Sequence, residues 1–279
     1  MKTAIDNSAL ARIDSSLNDE TRAVLLQSFS TRKHSFYATN ELATEVLAMD
    51  ASTSRALLSR RTGLLLRLLA SGRVLNHYGQ IIQGELEAES RLFADSGEVT
   101  LLKEHLGTVS ATGSLGDLRA FVDAAAEKKR KAFAHRHVHQ DRLRRELEER
   151  GLHGDLQEKY SVYEAFEAFM LPLVSRDLAQ DYLKAETRPL ARRRLETLHE
   201  HLDDFPYTKT LFRITTARMF WNWVMNRRVD SGDLCDDEQL VYMAGLDLMV
   251  TEDQRLQQIG GIIFPDKKII GVEAFCELL

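Results

Sequence analysis

Cysteine is scarce. Cys235 and Cys276 are the only two, so no disulfide framework can be holding the chain together. Proline is equally rare, at positions 172, 189, 206 and 265. No segment approaches the roughly 20 consecutive apolar residues of a membrane span; the longest apolar stretches, near residues 64–69 and 246–250, are short and interrupted. The first residues, MKTAIDNSALARID, lack the apolar core of a secretory leader. These absences lead us to expect a cytoplasmic protein with no membrane association. There is no positive charge to spare either. The net charge of −5 gives no overall attraction to nucleic acid, so any basic surface has to be local.

What is present is helix-forming material. The chain of 279 residues, 44% hydrophobic, can fill one large core or two moderate ones. Its middle is rich in Leu, Ala, Glu and Arg. Helical spacing recurs in SRALLSRRTGLLLRLLA, GDLRAFVDAAAEKKRKAFA, YEAFEAFMLPLV and KTLFRITTARMFWNWVM. Strand signals are few and lie near the two ends: residues 3–5, 36–38 and 246–251, then 260–264 and 268–272 as one bent strand or two. Strand and helix alternate at both ends, which argues for a parallel sheet. The expected fold is therefore α/β, a small parallel sheet assembled from both ends, with a large all-helical insertion. The expected bounds are residues 1–48 with 208–279 for the sheet domain and 49–207 for the insertion.

Acidic residues sit where strands end or helices begin. Asp6 closes the first strand in AIDNSALARI, and Glu45 lies on the helix after the second, in FYATNELATEVLAM. Asp236 and Asp237 are expected to open a helix in GDLCDDEQLVYMAGLD, and Asp253 follows a strand in LDLMVTEDQRL. Ligand sites in parallel α/β sheets gather at the carboxyl ends of strands. Hydrolysis of a phosphodiester needs an activated water and neutralisation of developing negative charge. Mg²⁺ or Mn²⁺ supplies both and prefers carboxylate oxygens. Without a cation, converging carboxylates raise one another's pKa values.

In this order the residues resemble the PIN-domain nucleases, a family of metal-dependent ribonucleases. The resemblance is carried by Asp6-Asn7-Ser8 at the first strand end and by Thr39, six positions before the helical Glu45. It continues in the pair Asp236-Asp237 and in Val250-Thr251-Glu252-Asp253 after the last buried strand. It covers roughly residues 1–48 and 230–279. It implies a PIN-like sheet and a divalent-metal-dependent nuclease with RNA as substrate. It further implies that Asp6, Asp237 and Asp253 ligate Mg²⁺ or Mn²⁺, directly or through water. Glu45 would join them or position the attacking water, with Asp236 and Thr251 supporting the site by hydrogen bonds. Glu41, one helical turn from Glu45, competes for its role. The long insertion is unusual for the family, and the family's middle strand has no clear counterpart.

Each acid also has a structural alternative. Asp6 can cap the following helix. Asp236 with Gln239, and Thr251 with Gln254, have capping-box spacing, which would leave Asp253 as a first-turn acid. Glu41 and Glu45 can be solvated helix residues. His135 and His139 share a helix face but have no evident partner for zinc. Met219-Phe220-Trp221-Asn222-Trp223 is expected to pack in the core. An acidic pocket repels a polyanion, so grip on nucleic acid must come from elsewhere. Residues 127–145 hold eight Lys or Arg against two acids. Lys128, Lys129, Arg130, Lys131 and Arg136 are the candidate contacts, unless the bases pair with Glu146, Glu148 and Glu149. Two rivals stand beside the nuclease: a catalytically inactive PIN-like scaffold, and a mainly helical interaction protein. A protein partner or homo-oligomer is left open.

Overall fold

The structure, a computed structural model, describes residues 1–31, 33–48, 54–151, 160–225 and 233–279. The side chains of Lys128, Lys129, His135, Arg136, His137, His139, Cys235 and Asp236 lie outside the described residues. By contacts the chain forms two compact units. The first comprises residues 1–81, 91–126 and 245–279, and the second residues 82–90 and 127–244.

The first unit contains a five-stranded sheet: β1 (Lys2–Ile5), β2 (Ser35–Ala38), β3 (Arg73–Val74), β4 (Leu248–Val250) and β5 (Lys268–Ile270), in the order β3-β2-β1-β4-β5. All pairings are parallel, with Thr3 beside Phe36 and Leu248, and Val250 between Ile5 and Ile270. A parallel strand is covered on both faces and so reads as a short apolar run without alternation. Thr3, Ala4 and Ile5 are all buried, as are Leu248, Met249 and Val250. Ile5, Phe36, Ala38, Leu248 and Val250 join one hydrophobic core, while Ala4 and Met249 alternate to the opposite face.

That core is filled by α1 (Asn7–Ser16), α2 (Asp19–Ser30), α3 (Asn40–Leu47) and α4 (Arg55–Ser71). Side-chain caps start each of them: Asp6 accepts from the Ala9 N–H, Asn18 from Thr21, Thr39 from Leu42 and Ser54 from Leu57. Leu58, Leu65, Leu68 and Leu69 form the buried stripe of α4. Beyond β3 come α5 (Tyr78–Glu87), α6 (Ser96–Thr112) and α7 (Leu118–Glu149). The α4 and α6 backbones approach closely. The Ser110 hydroxyl donates to the Ser59 carbonyl at 3.1 Å and Ser59 returns the bond, and a Cβ on Gly63 would meet the Ser110 hydroxyl at 3.0 Å. Helix α6 stops at Gly113, whose φ of +62° and 2.7 Å approach to the Arg55 carbonyl exclude a side chain.

The second unit is helical among the described residues. Helices α8 (Tyr163–Ala185), α9 (Pro189–Thr197), α10 (Pro206–Met219) and α11 (Asp233–Val241) are joined there by the later part of α7. A π-helical turn at Phe220–Val224 extends α10. Phe220 packs edge-on against Tyr163, so the start of the aromatic run belongs to the core, as expected. Lacking a side-chain cap of its own, α10 takes one from Glu85, which accepts from the Tyr207 and Thr208 N–H groups at 2.8 and 2.9 Å. The first unit is completed by α12 (Gln254–Ile263) and α13 (Val272–Cys276).

Several expectations are corrected. Residues 260–264 are not strand: 260–263 end α12, whose buried Leu256, Ile259, Gly260 and Ile263 follow helical spacing. Only 268–270 form β5. Residues 49–207 are not wholly helical, because they include β3, whose two residues are too short to show a period. The contact-based units also differ from the expected bounds. Residues 54–81 and 91–126 group with the sheet because α4 and α6 bury Leu65, Leu68, Leu106 and Val109 in its core, and residues 208–244 group with the helices. No helix among the described residues is long and apolar enough to cross a membrane.

Candidate functional site

The strand order reverses at β1. The chain proceeds from β1 to β2 and β3 on one side, and β4 and β5 then lie on the other. In an open parallel sheet the crevice outside the carboxyl ends of the two strands flanking such a point is where ligands bind. Those strands are β1 and β4, which end at Ile5 and Val250 and lead directly into Asp6 and into Thr251-Glu252-Asp253.

Asp6 is buried, with 5% of its surface exposed. Its Oδ1 accepts from the Ala9 N–H at 2.8 Å, and its Oδ2 from the Thr251 hydroxyl at 2.6 Å. The Ser8 hydroxyl sits 2.8 and 2.9 Å from the two oxygens and can serve one at a time. Three protons therefore meet about four acceptor positions, leaving one open. Ser8 Oγ in turn accepts from the Glu252 N–H at 2.9 Å, and Thr251 Oγ1 from the Asp253 N–H at 3.0 Å. A single hydrogen-bonded chain thus links the two strand ends across more than 240 residues of sequence.

Asp253 is half-buried and caps α12, its Oδ1 accepting from Arg255 and Leu256 N–H groups at 2.7 and 3.0 Å. It is thus Asp253, and not Thr251, that caps this helix, and it does so through Oδ1 alone. Burial pushes the Asp6 carboxyl above its ordinary value, against the bonds from Thr251, Ala9 and Ser8, and the charge of Asp253 pushes it further in the same direction. No described cationic side chain forms an ion pair with Asp6. Beside it, Asn7 Oδ1 is buried without a hydrogen-bond partner among the described atoms.

Glu41 and Glu45 lie on α3, which follows β2 and is capped by Thr39. Glu41 is 1% exposed and Glu45 half-buried. The Glu41 carboxylate lies 3.7 Å from His77 Nε2. His77 Nδ1 accepts from the Gly79 N–H at 3.1 Å, which places the ring proton on Nε2, facing Glu41. Sequence reasoning missed His77 because it follows the two-residue β3. The bridging role of Ser8 was missed as well, although its place two residues after Asp6, at a helix start, is a usable signal.

Asp237 belongs to the second unit. Helix α11 starts at Asp233, so Asp236 and Asp237 lie within it and do not open it, and Asp236 cannot be its cap. The Asp237 carboxylate is buried and accepts from Arg218 Nε at 2.8 Å. Along α7, Arg130 and Lys131 are exposed and face Glu127 at 2.7 and 3.7 Å. Arg144 pairs with Glu148, as the structural alternative expects, and Arg142 with Asp177 and Asp181 of α8.

Among the described residues no three His, Cys, Asp or Glu side chains come close enough to hold a metal ion. Mg²⁺ does not require three: it keeps several waters and commonly binds one or two carboxylates. Asp6, Asp253 and Asn7 carry hard oxygen donors of the kind it prefers. Comparison with known proteins gives no match: no family model, curated protein or solved structure matches the chain.

Proposed function

We propose that this protein is a divalent-cation-dependent nuclease acting on RNA, with its reaction centre at the β1–β4 crevice. One observation carries the proposal: a buried Asp6, beside a second carboxylate at the point where strand order reverses, with no described cationic side chain to balance it. Asp6 and Asp253 would hold Mg²⁺ or Mn²⁺, with Asn7 Oδ1 as a third oxygen. When bound, such an ion activates water and neutralises charge on the scissile phosphate. Thr251 and Ser8 hold the Asp6 carboxylate in place by hydrogen bonds. Glu45, or Glu41 one turn earlier, would orient the attacking water and take its proton. Asp237 and Asp236 enter on the resemblance to PIN-domain nucleases and not on geometry. Of the five candidate contacts to the RNA backbone, Arg130 and Lys131 have described side chains, and both are exposed.

The test is cleavage of a labelled single-stranded RNA by the full chain with Mg²⁺ or Mn²⁺, alongside direct Mn²⁺ titration followed by electron paramagnetic resonance. The expected result is metal-dependent cleavage, with both cleavage and Mn²⁺ binding lost in Asp6→Asn. Absence of a three-acid cluster among the described residues favours a second reading, a metal-free binding scaffold. That reading predicts no Mn²⁺ binding by the wild-type chain.

A further inference from the structure

The first unit contains a second concavity that the acidic crevice does not explain. It is a cavity of about 410 Å³ between α3, the end of β3, α6 and the start of α7, within the range of small-molecule sites, roughly 300–1,000 Å³. Protein interiors normally fill such space with side chains. Its floor is apolar and buried: Ala43, Leu47, Val74 and Val122. Its mouth is exposed and carries two carboxamides, Asn40 and Gln80.

The charge of the lining selects among ligands. No Lys or Arg is among the described lining residues. One carboxylate, Glu98, is already bonded to the Asp95 N–H as half of a capping box. One imidazole, His105, completes the ionisable groups among the described lining residues. A phosphate, sulfonate or carboxylate would find no fixed positive partner there, and burying it unpaired is costly. A neutral molecule loses apolar surface to the floor and keeps a donor or acceptor for Asn40 and Gln80.

The cavity is also distinct from the carboxylates. Asn40, Ala43, Thr44 and Leu47 face it with i, i+3, i+4, i+7 spacing. Glu41 and Glu45 lie roughly 130° away around the same helix, at about 100° per residue.

We infer that this cavity is a binding site for a neutral, largely apolar small molecule with one hydrogen-bonding end, independent of any chemistry at the β1–β4 crevice. Two dyes that share a skeleton and differ in charge test it on the full chain: N-phenyl-1-naphthylamine, which is neutral, and 8-anilinonaphthalene-1-sulfonate, which is anionic. The expected result is saturable binding of one equivalent of the neutral dye, at least tenfold tighter than the sulfonate. Ala94→Phe, from the half-buried rim, should weaken neutral-dye binding at least tenfold while circular dichroism and Tm stay unchanged. Thr44→Phe fills the space from α3 and serves if Ala94→Phe does not fold. Equal affinity for both dyes, no saturable binding, or undiminished binding in a folded cavity-filling variant would each overturn the inference. So would a wild-type dimer that Ala94→Phe converts to a monomer, because a second copy would then be the occupant.

Discussion

Asp6 and Asp237 are both buried aspartates, and their surroundings could hardly differ more. Asp237 sits beside a guanidinium: Arg218, itself 7% exposed in its side chain, donates to it at 2.8 Å. Among the described residues Asp6 has only neutral donors, two hydroxyls and one backbone N–H, and a second carboxylate close enough to raise its pKa. The first arrangement balances its charge within the protein. The second leaves a charge for something else to balance. Burial of an acid is therefore a poor guide to a site, and the countercharge is a better one.

The largest expected effect breaks the balanced side. Arg218→Met strands the Asp237 carboxylate without its guanidinium and should lower stability by about 3–5 kcal/mol in denaturant unfolding. The double variant Arg218→Met with Asp237→Leu should recover most of that loss. If the single variant is as stable as wild type, the contrast between the two aspartates disappears.

Asp6→Asn should do the opposite: little or no loss of fold, and a fall in metal-dependent cleavage on the order of a hundredfold or more. Its pH dependence follows from the direction of the shift. The folded pKa lies above the unfolded one, so the folded state holds its proton longer. Stability therefore falls as pH rises from the ordinary carboxylate value toward the raised one, and is flat above it. The Asn variant should lose that slope and be no less stable than wild type at neutral pH. Urea melts across this window decide it; a slope that survives in Asp6→Asn would place its origin elsewhere.

Thr251→Val sharpens the comparison further, since it removes the donor to Asp6 and the acceptor of the Asp253 N–H without touching charge. A cost of about 1–3 kcal/mol is expected, with the Asp6 pKa rising again, as read by carboxyl NMR. The smallest effect belongs to Asp253→Asn. Asn caps a helix about as well as Asp, so stability should move by only a few tenths of a kcal/mol, roughly. The Asp6 pKa should fall because a neighbouring negative charge is gone. An unchanged Asp6 titration would separate the two carboxylates and weaken the proposed shared site.

Much of the sheet was legible because parallel strands leave compact apolar runs. Residues 3–5, 36–38 and 246–251 locate β1, β2 and β4 to within a few residues. The misread stretch, 260–264, is also apolar and short, and only its continuation back through Ile259 and Leu256 reveals a helical stripe. Strand β3 left no period to read. Asp6, Thr251 and Asp253 stood out because each marks a strand end. What sequence could not supply is pairing across distance: that Arg218 takes Asp237, that Ser8 ties Asp6 to Glu252, or that α4 and α6 pack with the sheet. Each depends on contacts formed after the chain has folded, not on local pattern.

The sheet also has an awkward history built into it. Strand β1 hydrogen-bonds to β4, and the Lys2 N–H reaches the Asp247 carboxylate, 245 positions along the chain. At about 5–20 residues per second, a ribosome needs roughly ten to fifty seconds to deliver that partner. Through this interval β1 can pair only with β2, and its other edge offers unsatisfied N–H and C=O groups beside Ala4 and Ile5, an open template for another nascent chain. Helices α8–α10 depend on partners made before β4 and can settle first. The crevice between β1 and β4, with the Thr251 hydroxyl that steadies Asp6 from the far side, comes into being only after residue 251 has been made.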